Sequence, residues 1–217
     1  PPRSTLFPYT TLFRSRDLEV SQLKKLFLLY AVFEETFFKW SDLSRYDSNY
    51  CRSLEHNQDI TNRLSTILKI SDDMPDLLHA HLSTGNKYDA MNYLSIKQRG
   101  SVEFRLMRGT YDTGLILQWI NLLLCLKLAA KDKSIIIHSF PDDMSRRGLN
   151  TLIDQVFGKW GTFLKEYASE LDILRGVRKA QDILLANEID NLNTQFESHS
   201  PKECSHLEAF KKAIKGA

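Results

Sequence analysis

Between Asp17 and Trp40, the residues Leu23, Leu26, Phe27, Tyr30, Phe33 and Phe37 recur at steps of three and four. That period puts them on one broad face of an α-helix. A face so rich in large aromatics has to be covered. Any fold open to this chain must therefore lay several other elements against one long, early helix.

The remaining helical signals supply those elements. Ser41-Asp42 ends the first pattern, a second helix is expected over Ile60 to Ile70, and Pro75 suits the first turn of a short third one. The most apolar run, Leu115 to Ala130, contains Gln118, Asn121 and Lys127 and falls short of the ~20 apolar residues a spanning helix needs. It reads as a buried helix from about Gly114 to Ala130, capped by Asp112 or Thr113. Ile135-Ile136-Ile137 suits a short edge strand or a buried loop, and Pro141-Asp142-Asp143 opens another helical region. Leu149 to Phe157, Phe163 to Leu174 and Val177 to Ile189 read as successive helices broken at Gly158, Gly161 and Gly176. The tail after Asn191 is polar, with one further helix near Leu207 to Ile214.

Two strand candidates interrupt this pattern, Tyr93 to Ile96 and Val102 to Met107, joined by Lys97-Gln98-Arg99-Gly100. A four-residue connection with glycine suits a β-hairpin. In the second strand, Val102, Phe104 and Leu106 point one way and Glu103 and Arg105 the other, about 7 Å apart along the chain. A carboxylate and a guanidinium side by side on an open face can hold a divalent metal and a phosphate. Alternation alone favours a solvated ion pair, since antiparallel sheets often carry one polar face and surface ion pairs are common.

A wider set of residues carries a resemblance. Lys87-Tyr88, Met91-Asn92 and Ser95, followed by Gly100-Ser101-Val102-Glu103-Phe104-Arg105 and Arg108-Gly109-Thr110, are similar to the signature of the amidoligase family. Trp119 stands where that family has a tryptophan near the start of its next helix, and Ser44-Arg45 with Tyr50-Cys51 resembles an upstream family segment. The likeness runs from about Asp17 to Ala130. It implies an α+β fold related to glutamine synthetase, with a partial antiparallel sheet (a β-hairpin at about 92–107) backed by helices and followed by a helical region. It also implies an ATP- and Mg²⁺-dependent carboxylate–amine ligase working through an acyl phosphate, on small-molecule or peptide carboxylate and amine substrates. Carried over by position, Glu103 is a metal ligand and Arg105 a phosphate contact. Asn92 orients substrate or metal, and Arg45 binds an anionic group. Such proteins occur in the cytoplasm of bacterial or phage-infected cells. The rival expectation is a non-catalytic phage structural or accessory protein that keeps a degenerate ligase fold.

Two features qualify that expectation. Asn92 shares strand parity with Leu94 and Ile96, so a regular strand turns it toward the core, away from Glu103, unless a bulge intervenes. The segment Thr5-Leu6-Phe7-Pro8-Tyr9-Thr10-Thr11-Leu12-Phe13-Arg14-Ser15 looks like an in-frame translation of a sequencing-library adapter. Residues 1–15 are therefore set aside as non-native, 16–140 are expected to be the C-terminal half of an amidoligase-like domain, and 141–217 a helical region open to oligomerisation. On that reading the family's opening strand lies outside this sequence, and the chain alone is an inactive fragment.

Other signals carry little. The net charge of +2 is near balance and no basic block marks a nucleic-acid partner. Cys51, Cys125 and Cys204 lack CxxC spacing and suit a reducing compartment. His79-Ala80-His81 has no further ligand at metal spacing, and Gly158-Lys159-Trp160-Gly161 lacks the spacing of a phosphate-binding loop.

Overall fold

The structure is a computed structural model that describes residues 11–15, 17–46, 48–54, 57–140 and 145–197. Its order is strand β1 (Thr11–Arg14), helices α1 (Val20–Ser41), α2 (Gln58–Lys69) and α3 (Pro75–Leu82), strand β2 (Met91–Asn92), helix α4 (Ser95–Arg99) and strand β3 (Ser101–Phe104). Helices α5 (Thr113–Lys131), α6 (Arg146–Phe157), α7 (Leu164–Tyr167) and α8 (Glu170–Glu197) follow. This is an α+β fold in which helices dominate.

α1 is the axle. Leu23, Leu26, Phe27, Tyr30, Phe33 and Phe37 are all buried, as their spacing predicts. So are Leu28, Leu29, Ala31, Val32 and Phe38 between them, so the helix is enclosed on nearly every side. α8 covers one side, α5 another, with α2 and α7 closing the rest. Phe37 and Trp40 meet Trp119 of α5, the second ring pair stacked at 5.8 Å, and Phe33 meets Phe157 of α6 edge-on at 4.8 Å.

α2 and α5 lie within two residues of expectation, while α1 begins at Val20 rather than Asp17 and α6 at Arg146 rather than Leu149. The helix expected over Phe163 to Leu174 is divided at Ala168 and Ser169 into α7 and the start of α8. Pro75 does open α3, and the Asp112 carboxylate caps α5, accepting from the Leu115 amide at 3.1 Å. Helix α5 is not wholly buried. Trp119, Leu122, Leu123 and Leu126 face the core, while Leu117, Ile120, Leu124 and Leu128 are exposed. By length and apolarity alone it is the one described helix that could cross a membrane. Ile135 and Ile137 are buried around an exposed Ile136, in a loop and 3₁₀ turn rather than a strand. Residues 141–144 and the expected helix near Leu207 to Ile214 lie outside the described residues.

Gly176 does not break a helix, contrary to expectation. It sits inside α8, where an added Cβ would lie 2.4 Å from the Val32 carbonyl oxygen of α1. The missing side chain lets two helix backbones approach closely. Packing, not termination, accounts for this glycine. The same contact joins the C-terminal helices to one continuous core with residues 16–140.

The sheet differs from a simple hairpin. Its strand order is β1-β3-β2, all neighbours antiparallel. The expected strand Tyr93 to Ile96 is absent, because the chain turns at Asn92, whose Oδ1 accepts from the Leu94 amide at 3.0 Å. The helical turn α4 follows, and Gly100 ends it in the left-handed region at φ 66°. The Ser95 hydroxyl then ties the two ends, donating to Ser101 O at 2.5 Å. Thr11–Arg14, which the sequence reading sets aside, supplies β1, pairing along β3 from Thr11 opposite Phe104 to Arg14 opposite Ser101. Ser15 is buried there, and its hydroxyl accepts from the Val102 amide at 3.3 Å.

Candidate functional site

β3 ends at Phe104, three residues short of the expected Met107, so Arg105 follows the strand, but the apolar face is as expected. Val102 and Phe104 are fully buried, and Phe104 meets Tyr30 at 5.5 Å and Trp119 at 6.4 Å. Trp119 thus backs the strand that carries Glu103. On the other face, Glu103 and Arg105 do lie together, the guanidinium Nη2 3.1 Å from the carboxylate Oε1.

Asn92 joins them, which corrects the parity argument. In the β2–β3 register Asn92 stands directly opposite Glu103, and its Nδ2 donates to Glu103 Oε2 at 2.6 Å. The reason is local. Leu94 and Ile96 belong to the turn and α4, so no strand alternation links them to Asn92.

Arg45 completes the group from the 3₁₀ turn Leu43–Arg45, which Asp42 caps through the Ser44 amide at 3.0 Å. Its Nη2 donates to the Arg105 carbonyl at 2.8 Å. All four candidate residues therefore converge. They do so in a different setting from the open face expected, since Glu103 is only 7% exposed and Asn92 3%. Both carboxylate oxygens of Glu103 are engaged, one by Arg105 and one by Asn92.

The position of Asn92 depends on a residue that sequence reasoning missed. Asp89, 1% exposed, accepts from Arg52 at Oδ1 (2.5 Å) and from Arg63 at Oδ2 (3.0 Å). This clamp fixes the segment leading into β2 against α2, and Arg52 also brackets it through backbone bonds to Tyr88 and Ala90. A second missed group lies beneath. Glu34, buried on α1, accepts from the Leu54 amide at 2.7 Å beside the buried Tyr30 hydroxyl. Burial first, then the neighbouring Glu34, hold that hydroxyl well above the ordinary tyrosine range. A carboxylate four residues after a tyrosine inside an apolar helical run was the available signal. Cys51 is fully buried nearby, its thiol pushed up to about 11 by burial although Arg45 works in the opposite direction.

What can this arrangement hold? The Arg105 Nε–H is buried with no hydrogen-bond acceptor among the described residues, so the guanidinium has an unused donor suited to an anionic oxygen. A magnesium ion fits less well. Glu103 is the cluster's one carboxylate, its oxygens are committed, and among the described residues no three His, Cys, Asp or Glu side chains converge as a metal set.

Comparison with protein-family models, with curated proteins and with solved structures finds no match for this chain.

Proposed function

We propose that this chain carries the anion-binding side of an ATP-dependent carboxylate–amine ligase, related to the amidoligases and glutamine synthetase. The observation that carries the reading is the convergence of Glu103, Arg105, Asn92 and Arg45 at one end of the β2–β3 pair. Those are the positions the resemblance assigns to the site.

The implied chemistry is amide formation in two steps. A carboxylate oxygen takes the terminal phosphoryl group of ATP and ADP leaves; the amine then attacks the acyl carbon and phosphate leaves. Arg105, with its spare Nε–H, suits the anionic oxygens of such an acyl phosphate. Asn92 holds Glu103 in one rotamer, and Glu103 in turn fixes the plane of the Arg105 guanidinium. No step is assigned to magnesium, because the described residues do not provide its ligands.

One observation favours a second reading, a non-catalytic protein that keeps a degenerate ligase fold. Glu103 is nearly buried and fully satisfied within the chain, as a purely structural ion pair would be. Amine-dependent ADP release by the full-length protein, beside a Glu103→Gln variant of verified fold, separates the two. Turnover in the wild type that the variant lacks supports the ligase. Equal turnover removes Glu103 from the mechanism, and none in either supports the second reading.

A further inference from the structure

We propose that the groove between α2 and α8 binds a small molecule bearing adjoining phosphates. The cavity there has a volume of about 460 Å³ and shares no residue with the Glu103 cluster. That size lies in the range of small-molecule sites.

Its walls are polar rows at helical spacing. α2 contributes Gln58, Asn62 and Ser65, and α8 contributes Arg175, Arg178 and Asp182. Arg175 and Arg178 stand one helical turn apart, about 5–6 Å between Cβ atoms, so their like charges repel each other. The Asp182 carboxylate one turn beyond Arg178 offsets only part of the positive charge that Arg175, Arg178 and Lys179 bring to the groove. Among the described residues neither makes an ion pair or a hydrogen bond. The α2 carboxylate that could have crossed to them, Asp59, is bonded instead to Arg63 on its own helix at 3.4 Å. Lys179 adds a third positive charge, though its ammonium is directed at the Leu54 carbonyl. Glu35 lies close enough to Arg175 to feel its charge, but from the α1 side of α8.

The neutral wall complements these cations. Gln58 donates to the Asn62 Oδ1 at 3.0 Å, so among the described residues the Asn62 amide nitrogen keeps an unused donor in the groove lining, with the Ser65 hydroxyl one turn on. Two guanidinium forks facing neutral donors suit a ligand with many acceptor oxygens in tetrahedral array. A single carboxylate would satisfy one fork only. Pyrophosphate is the simplest such ligand.

Titration calorimetry of the whole chain with pyrophosphate, at low ionic strength, tests this. Saturable binding is expected, weakened at least tenfold by Arg175→Gln and by Arg178→Gln. Both residues are exposed, so unchanged melting temperatures are expected to show that the fold is kept. Arg147→Gln on α6, which lines a separate cavity, should leave the affinity unaltered. Absence of binding overturns the proposal. So does an affinity that Arg178→Gln leaves unchanged, or acetate binding as tightly as pyrophosphate.

Discussion

Replacing Glu103 tests the site and the fold together. Glu103 has a side chain 9% exposed and faces an Arg105 side chain that is 20% exposed. Truncation to alanine leaves that guanidinium without its counter-ion and the Asn92 Nδ2 without its acceptor. Breaking a fully buried ion pair costs roughly 3–5 kcal/mol. The residual exposure of Arg105 admits water and reduces this to about 2–3 kcal/mol, and the orphaned amide adds about 1 kcal/mol. Glu103→Ala should therefore lose about 3–4 kcal/mol. Glu103→Gln keeps the shape and an acceptor for Asn92 but not the charge, and should lose about 2 kcal/mol. A domain of ~5 kcal/mol stability would then remain roughly 99% folded, so a loss of turnover in that variant reports on chemistry. Urea unfolding followed by fluorescence of the buried Trp119 measures both variants. A Glu103→Leu, Arg105→Met double variant should recover most of the loss, because removing both charges leaves neither unpaired. If Glu103→Gln changes stability by less than about 0.5 kcal/mol, the pair is a solvated one and the reasoning fails.

Three further outcomes are expected. Gly176→Ala would gain about 1 kcal/mol of helix propensity but force a methyl to 2.4 Å from the Val32 oxygen, a backbone atom that no rotamer change can move aside. Overpacking of ~2–4 kcal/mol should win, and a raised urea midpoint would refute the close α1–α8 approach. Cys51, with its thiol raised to about 11 by burial, should resist iodoacetamide at pH 8 until urea unfolds the chain; peptide mapping that finds it labelled in the folded protein contradicts its burial. Burial, then the neighbouring Asp172, raise Glu35, so the folded chain holds this proton more tightly than the unfolded chain does. Stability from this group is full below its unfolded value near ~4.3 and falls as pH rises through the raised folded value. Glu35→Gln mimics the protonated acid, so its melting temperature should not drop below wild type at pH 7, although Lys39 lies 3.6 Å from the carboxylate. A clear drop at pH 7 would show that the Lys39 contact outweighs burial.

The apolar spacing in Leu23 to Phe37 and the Asp112 and Pro75 signals determined where helices begin and which faces seek cover, because helix period and capping act within a few residues. The same holds for β3, where alternation alone placed Val102 and Phe104 inward and set Glu103 beside Arg105. Tertiary structure decided the rest. The turn at Asn92 rests on a side-chain bond to Leu94, and that short bond overrides an apolar run that reads as strand. Opposing Asn92 to Glu103 is a matter of register between segments, and no pattern within either segment encodes it. Burial of Glu103 needs the elements around β3 as well as the strand itself. Gly176 reads locally as a helix breaker, and only the nearness of α1, far away in sequence, makes it a packing residue.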